Sequence, residues 1–494
     1  MSIHWPIIRH LLRSPRRVAV VDDRRSYRAI EILVAAMNVA DEIERRCSTE
    51  MVGLMLPTSG AFPIAILGVW IAGKVPVPLN YLLKHEELEY VVGDCAVDTI
   101  ITAQPMLDHL GLQANTKLAC ANLVRMEDMA LKGVPSPRWP ARNAPDDLGV
   151  LLYTSGTSGK PKGVMLTHKN ISSNISQFKR IINLDANDCL LGVLPQFHSF
   201  GLTVLTLAPL MIGCKVVYTA RFVPGKILSL IREHKPTIFV AIPSMYGALL
   251  NAKNITGDEF DSLRLIVSGG EPLSDFVAET FYEKFGRRIN EGYGLTETSP
   301  VTHVCLPDSF RRGSVGRPLP EVKQRIVDLD NGRDLPQCCE GEIRLTGPNI
   351  MRGYYKLPDE TAKAFDNQGW FRTGDIGQIN IDGSLSITGR LKEMLIVGGE
   401  NVFPRTIEQV IDTHPSVAAS AVVGKKDDVR GEVPVAFVEL AEGVEHDSFD
   451  PAQLLSFCRE SLAPYMIPRE VRVLDALPRN PTGKIMRREL QTLV

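Results

Sequence analysis

Tyr153-Thr154-Ser155-Gly156-Thr157-Ser158-Gly159-Lys160-Pro161-Lys162-Gly163 is the stretch on which the reading of this chain turns. It follows an apolar run, 150–153, and precedes another, 164–166, each of strand length. A loop dense in Gly, Ser and Thr offers backbone N–H groups and hydroxyls at close range, and Lys160 and Lys162 add positive charge. That is the chemistry of a polyphosphate cradle. It is not the P-loop of the nucleotide triphosphatases, which needs Gly, four residues, then Gly-Lys-Ser/Thr. Here two residues separate Gly156 from Gly159, and Pro161 takes the Ser/Thr place. By composition alone the loop would equally suit a surface hairpin.

Around this loop, short β-branched runs alternate with longer helical patterns. Residues 17–21, 51–56, 75–79, 98–103, 237–242 and 263–267 read as strands, and 29–45, 61–72, 86–92, 226–233 and 274–285 as helices. Such alternation implies parallel sheets covered by helices, an α/β fold. Between about 314 and 388 the strands shorten and carry turns such as Asp330-Asn331-Gly332, the mark of a β-rich subdomain. After Gly389 comes a segment with its own logic, helix 406–413, strands 418–423 and 433–439, helix 451–462 and strand 470–474. The expectation is a large domain, 1–389, and a small mobile α+β domain, 390–494.

The 494 residues are 44% apolar and 23% charged, which excludes a disordered chain. With 55 Lys+Arg against 57 Asp+Glu, the net charge of −2 gives no field for gripping nucleic acid, so any anion must be bound locally. Nine cysteines without a Cys-x-x-Cys pair fit reduced thiols in a cytoplasm and argue against a disulfide scaffold or a zinc ribbon. The N-terminal apolar runs are too short for a signal peptide. Residues 189–214 hold no Asp, Glu, Lys or Arg, but Pro195, Gln196, His198, Ser199 and Pro209 interrupt them. They read as buried core and active-site wall. A transmembrane span is excluded; peripheral membrane contact stays open, and oligomeric state is not legible.

Further along stand Ser268-Gly269-Gly270-Glu271-Pro272-Leu273 and Glu291-Gly292-Tyr293-Gly294-Leu295-Thr296-Glu297-Thr298. Glycines let a flat ring approach the backbone, Tyr293 offers a stacking face, Thr296 can bond a phosphate, and Glu297 is a hard oxygen ligand suited to Mg²⁺. Alone, Glu297 would pass for a solvated carboxylate at a helix start. Trp370-Phe371-Arg372-Thr373-Gly374-Asp375 places a carboxylate, the natural acceptor for ribose hydroxyls, after a turn glycine. Gly389-Arg390-Leu391-Lys392-Glu393, Val397-Gly398-Gly399-Glu400 and Pro478-Arg479-Asn480-Pro481-Thr482-Gly483-Lys484 follow.

Together these motifs, in this order over essentially the whole chain, resemble the adenylate-forming superfamily of acyl- and aryl-CoA synthetases, firefly-type luciferases and peptide-synthetase adenylation domains. The resemblance implies that Thr154, Ser155, Gly156, Thr157, Ser158, Gly159, Lys160 and Lys162 hold ATP phosphates, and that Gly269, Gly270, Glu271 and Pro272 line the adenine pocket with Tyr293. It implies that Thr296 touches phosphate and Glu297 the metal, that Asp375 grips the ribose hydroxyls, with Arg390 within reach of ribose or phosphate oxygens, and that Lys484 is the catalytic lysine of adenylation. Lys392 would be the hinge, and Gly398 and Gly399 would line a tunnel for the CoA arm.

Pro195-Gln196-Phe197-His198-Ser199-Phe200-Gly201 aligns with the acid pocket. Amino-acid-activating relatives carry Asp where this chain has His198, so a substrate ammonium would lose its counter-ion, at a cost of several kcal/mol. His198 and Phe200 are expected to wall or gate the pocket. The expected reaction joins a carboxylic acid, most like a medium- or long-chain fatty acid, to CoA, with ATP as co-substrate and Mg²⁺ as cofactor. The alternatives are an acyl–carrier-protein synthetase, an aryl or short-chain acid CoA ligase, and a non-catalytic nucleotide-binding scaffold.

Overall fold

The computed structural model describes residues 2–112, 118, 121–154, 160–252, 255–441, 443–479 and 485–494. The expected α/β architecture is present. A nine-stranded sheet runs in the order Arg317–Pro318, Val301–Val304, Asn290–Gly294, Leu265–Ser268, Ile238–Ala241, Cys189–Gly192, Lys215–Tyr218, Val18–Val21, Ser26–Arg28. From Asn290–Gly294 to Val18–Val21 every pairing is parallel. A second, all-parallel sheet holds Val75–Pro78, Met51–Met55, Thr99–Thr102 and Asn122–Arg125. The 314–388 region forms an antiparallel sheet, Lys323–Val327, Gly341–Thr346, Phe371–Ile379, Leu385–Arg390. The last hundred residues build a further sheet around Val417–Asp427 and Gly431–Leu440.

Helix Ala61–Ile71 is apolar on every side and correspondingly buried along nearly its whole length. It packs against helix Ala29–Arg46 through Gly68, where a Cβ would lie 2.6 Å from Val39 Cγ1, so a side chain there would push the two helices apart. The uncharged stretch becomes strand Cys189–Gly192, helix Ser199–Leu202, a π-helical turn Thr203–Leu207 and helix Ala208–Ile212, all of it core or cleft wall. Among the described residues no helix is long and apolar enough to cross a membrane.

Several helices escape the sequence reading, among them Gln104–Leu110, Pro243–Leu250 and Pro358–Ala364, and two longer ones. His4–Arg13 buries Ile7, Ile8 and Leu11, and His168–Ile181 buries Ile171, Ile175 and Phe178, a helical spacing thinned by intervening Ser and Asn. Thr167 caps the latter, accepting from the Asn170 N–H at 3.1 Å. The helix expected at 406–413 starts earlier, at Pro404, because proline suits a first helical position.

Candidate active site

A cleft of about 3070 Å³ gathers most of the expected residues: Thr154 and Lys162, His198 and Phe200, Gly269, Gly270 and Glu271, Tyr293, Thr296 and Glu297, Asp375, Arg390 and Lys392. The glycine-rich loop joins strands Leu148–Thr154 and Lys162–Thr167, which pair antiparallel with Thr154 opposite Lys162. The strands on either side of it therefore form an antiparallel pair, and the described residue that follows Lys162 continues a strand, not a helix. Ser155, Gly156, Thr157, Ser158 and Gly159 lie outside the described residues, as does Lys484.

Lys162 sits in a chain of contacts that sequence reasoning missed. Its ammonium pairs with Glu360 and stands 5.3 Å from the centre of the Tyr354 ring. Tyr354 Oη donates to Glu297 Oε1 at 2.9 Å, and Lys363 reaches Glu360 from the other side at 3.0 Å. Glu360 is held down to about 2 by Lys162 and Lys363, while burial and the Glu297 charge push the Tyr354 phenol up. Nothing in the composition of residues 354–360 points to this cluster; it exists because strand Gly353–Tyr354 pairs with Lys162–Thr167. Lys160 does not reach the cleft wall: it is exposed, 5.1 Å over the Tyr90 ring.

Asp375 is 2% exposed and satisfied on both oxygens. Tyr293 Oη donates to Oδ2 at 2.6 Å, and Arg390 Nε meets Oδ1 at 2.8 Å. The tyrosine thus contributes a hydroxyl as well as the ring face expected of it, and burial with the Asp375 charge raises its pKa well above the usual range. Gly294 is required where the strand turns into Leu295, since a Cβ there would lie 1.8 Å from the Pro300 carbonyl oxygen. That turn presents Thr296, whose hydroxyl shares a 3.2 Å hydrogen bond with Ser199, and Glu297. Among the described residues no three His, Cys, Asp or Glu cluster as a metal cage. One carboxylate such as Glu297 is nevertheless what Mg²⁺ takes when nucleotide phosphates supply its remaining ligands.

On the acid side, His198 is exposed to the cleft and caps helix Ser199–Leu202, its Nδ1 accepting from the Phe200 N–H at 3.4 Å. The Phe200 ring covers Gly269, where a Cβ would lie 2.9 Å from its Cε1. Pro272 is exposed and off the cleft wall.

From the C-terminal side, Ile485, Met486 and Arg487 line the cleft. Arg487 reaches Glu393 at 3.1 Å and Glu408 at 2.8 Å, so it ties the segment after Lys392 to helix Pro404–Ile411. Gly398 and Gly399, at φ +63° and +92°, turn the hairpin between Leu395–Val397 and Glu400–Val402; they are exposed and away from the cleft.

A family model for AMP-binding enzymes matches residues 8–355, and one for the AMP-binding enzyme C-terminal domain matches 406–484. A long-chain-fatty-acid–CoA ligase of Bacillus subtilis is 31% identical over 484 residues, 89% of this chain and 85% of that protein. A 4-coumarate–CoA ligase of Oryza sativa is 36% identical over 358 residues, 70% of this chain and 63% of that protein. ATP-bound MatB from Rhodopseudomonas palustris superposes with a TM-score of 0.90 at 29% identity, over 100% of this chain and 99% of that one. The apo form of that protein superposes with 0.80.

Proposed function

The chain belongs to the AMP-binding enzyme family, and on that premise we propose that it is an AMP-forming acid–thiol ligase that joins a fatty acid to CoA. The observation that carries the reading is the meeting, in one cleft, of the Asp375–Arg390 pair, Thr296 with Glu297, and Lys162, beside an apolar wall entered past His198. One end recognises a nucleotide and the other recognises a chain.

In the first half-reaction a carboxylate oxygen attacks the α-phosphorus of ATP and pyrophosphate leaves, giving an acyl-adenylate. Both partners are anions, so the protein's task is positioning and charge neutralisation. Asp375 accepts from the ribose hydroxyls while Arg390 and Tyr293 fix its two oxygens. Lys162 exchanges Glu360 for a phosphate, and Thr154 with loop residues 155–159 supplies donors to the same group. Gly269, Gly270 and Glu271 bound the adenine. Glu297 would hold Mg²⁺, which supplies Lewis-acid withdrawal of charge from the phosphates. Lys484 neutralises charge between carboxylate and α-phosphate.

In the second half-reaction the thiol sulfur attacks the acyl carbon, its proton departs to solvent, and AMP leaves. Rotation of the 390–494 domain about Lys392 withdraws Lys484 and brings Gly398 and Gly399, now solvent-facing, to the cleft; this is hinge motion of a familiar kind. A long-chain-fatty-acid–CoA ligase is among the relatives, and the apolar rows that line the cleft suit an alkyl chain. Acid-dependent exchange of labelled pyrophosphate into ATP without thiol tests the first half. Exchange with fatty acids is expected, and its absence with every acid would overturn the reading.

A further inference from the structure

Beneath His198 the cleft runs along one face of two adjacent parallel strands. Ile238, Val240 and Ile242 form one row and Leu265, Val267 and Gly269 the next, and all six line the cleft. Side chains alternate along a strand, so each row sits on a single face. The intervening Phe239 packs the other way, its ring 5.4 Å from that of Tyr246. Two rungs are in register, Ile238 opposite Leu265 and Val240 opposite Val267; just past the strand ends the Gly269 N–H donates to the Ala241 carbonyl at 3.2 Å, so Ile242 and Gly269 make a third rung. The top rung carries the Phe200 ring on Gly269. The bottom rung is buried, with Leu184 and Leu190 beside it. Phe178 and the π-helical Val204 line the same cleft. No rung bears a charge.

We propose that these rungs are a ruler for the acyl chain, with Ile238 and Leu265 as its floor, and that the substrate is a straight saturated acid of about ten to twelve carbons. Gly269 to Leu265 is four residues, about 13 Å of strand. An extended backbone advances about 3.3 Å for every three bonds, and an all-trans alkyl chain advances at nearly the same rate per bond. The span therefore holds about eleven bonds. Each methylene below that limit adds buried contact worth about fourfold in kcat/KM. Beyond it the chain meets side chains that are already packed. The ruler rests on the acid–thiol ligase reading above.

The test is pyrophosphate release without thiol, across straight acids from hexanoate to palmitate and with benzoate. Wild type should rise about fourfold per methylene to an optimum at decanoate or dodecanoate and fall beyond it. Val240→Phe places a ring on the middle rung and should move the optimum to octanoate or shorter. Leu265→Ala lowers the floor and should move it at least two carbons longer. Fatty-acid turnover whose optimum neither variant moves overturns the ruler while leaving the ligase reading intact. Turnover with benzoate and none of the fatty acids overturns the fatty-acid reading and the ruler with it. If Val240→Phe fails to fold, Leu265→Ala decides alone, a lengthened optimum supporting the ruler and an unmoved one overturning it.

Discussion

Asp375 and Arg390 face each other across paired strands, residue against residue, and the ion pair between them is 2.8 Å long. The sheet register therefore sets the position of the carboxylate proposed to bind ribose, and Tyr293 holds its second oxygen. Asp375→Ala would leave a buried phenol and a half-exposed guanidinium without their partner. We expect a stability loss of about 1–3 kcal/mol and an ATP KM at least about tenfold higher, read by thermal melting and by exchange kinetics. An unchanged KM would remove Asp375 from the nucleotide site.

Tyr354 bonds the carboxylate assigned to Mg²⁺. Tyr354→Phe keeps the ring beside Lys162 and deletes only the hydroxyl. The expected result is a right-shifted Mg²⁺ titration of nucleotide binding by calorimetry, with melting temperature nearly unchanged. A titration identical to wild type would contradict it.

Glu360 pairs with Lys162, the lysine proposed to take a phosphate. Glu360→Gln should lower the ATP KM about two- to fivefold, the scale of a partly exposed ion pair. A raised KM would instead make Glu360 part of the nucleotide site.

How far was this site legible beforehand? The motifs located Asp375, Glu297 and the glycine-rich loop because each is a short, contiguous signature. Seven of the helices and several of the core strands followed from 3.6-residue spacing and alternation. Tyr354, Glu360, Ser199 and Arg487 were not legible, because their roles arise from pairings between distant segments, as with Gly353–Tyr354 against Lys162–Thr167. The rows proposed as a ruler were hidden for the same reason: 237–242 and 263–267 each read as a strand, and only their parallel register sets the rows side by side.

Lys484 is assigned to one half-reaction only. Lys484→Ala should slow adenylate formation at least about 100-fold, while attack of CoA on chemically prepared acyl-adenylate is retained. Loss of both halves would contradict a role confined to adenylation.

Acid should destabilise the N-terminal packing. His168 is buried against His4 and Trp70, and its Nδ1 accepts the Ile3 N–H at 3.4 Å. Burial, helped by His4, lowers its pKa from 6.5 to about 4. The unfolded chain thus takes up this proton first, so stability is intact above about pH 6.5 and is lost as pH falls toward 4. Between pH 7.5 and 4.5 wild type should lose about 2–3 kcal/mol more than His168→Gln, measured by denaturant midpoints. A difference that stays constant would contradict this.

The most direct test of the whole account is the product balance of one incubation with dodecanoate, Mg·ATP and CoA, resolved by mass spectrometry. The account predicts AMP, pyrophosphate and dodecanoyl-CoA in equal amounts, with none formed when the acid is omitted. Release of ADP and phosphate, or AMP formation indifferent to the acid, would contradict it.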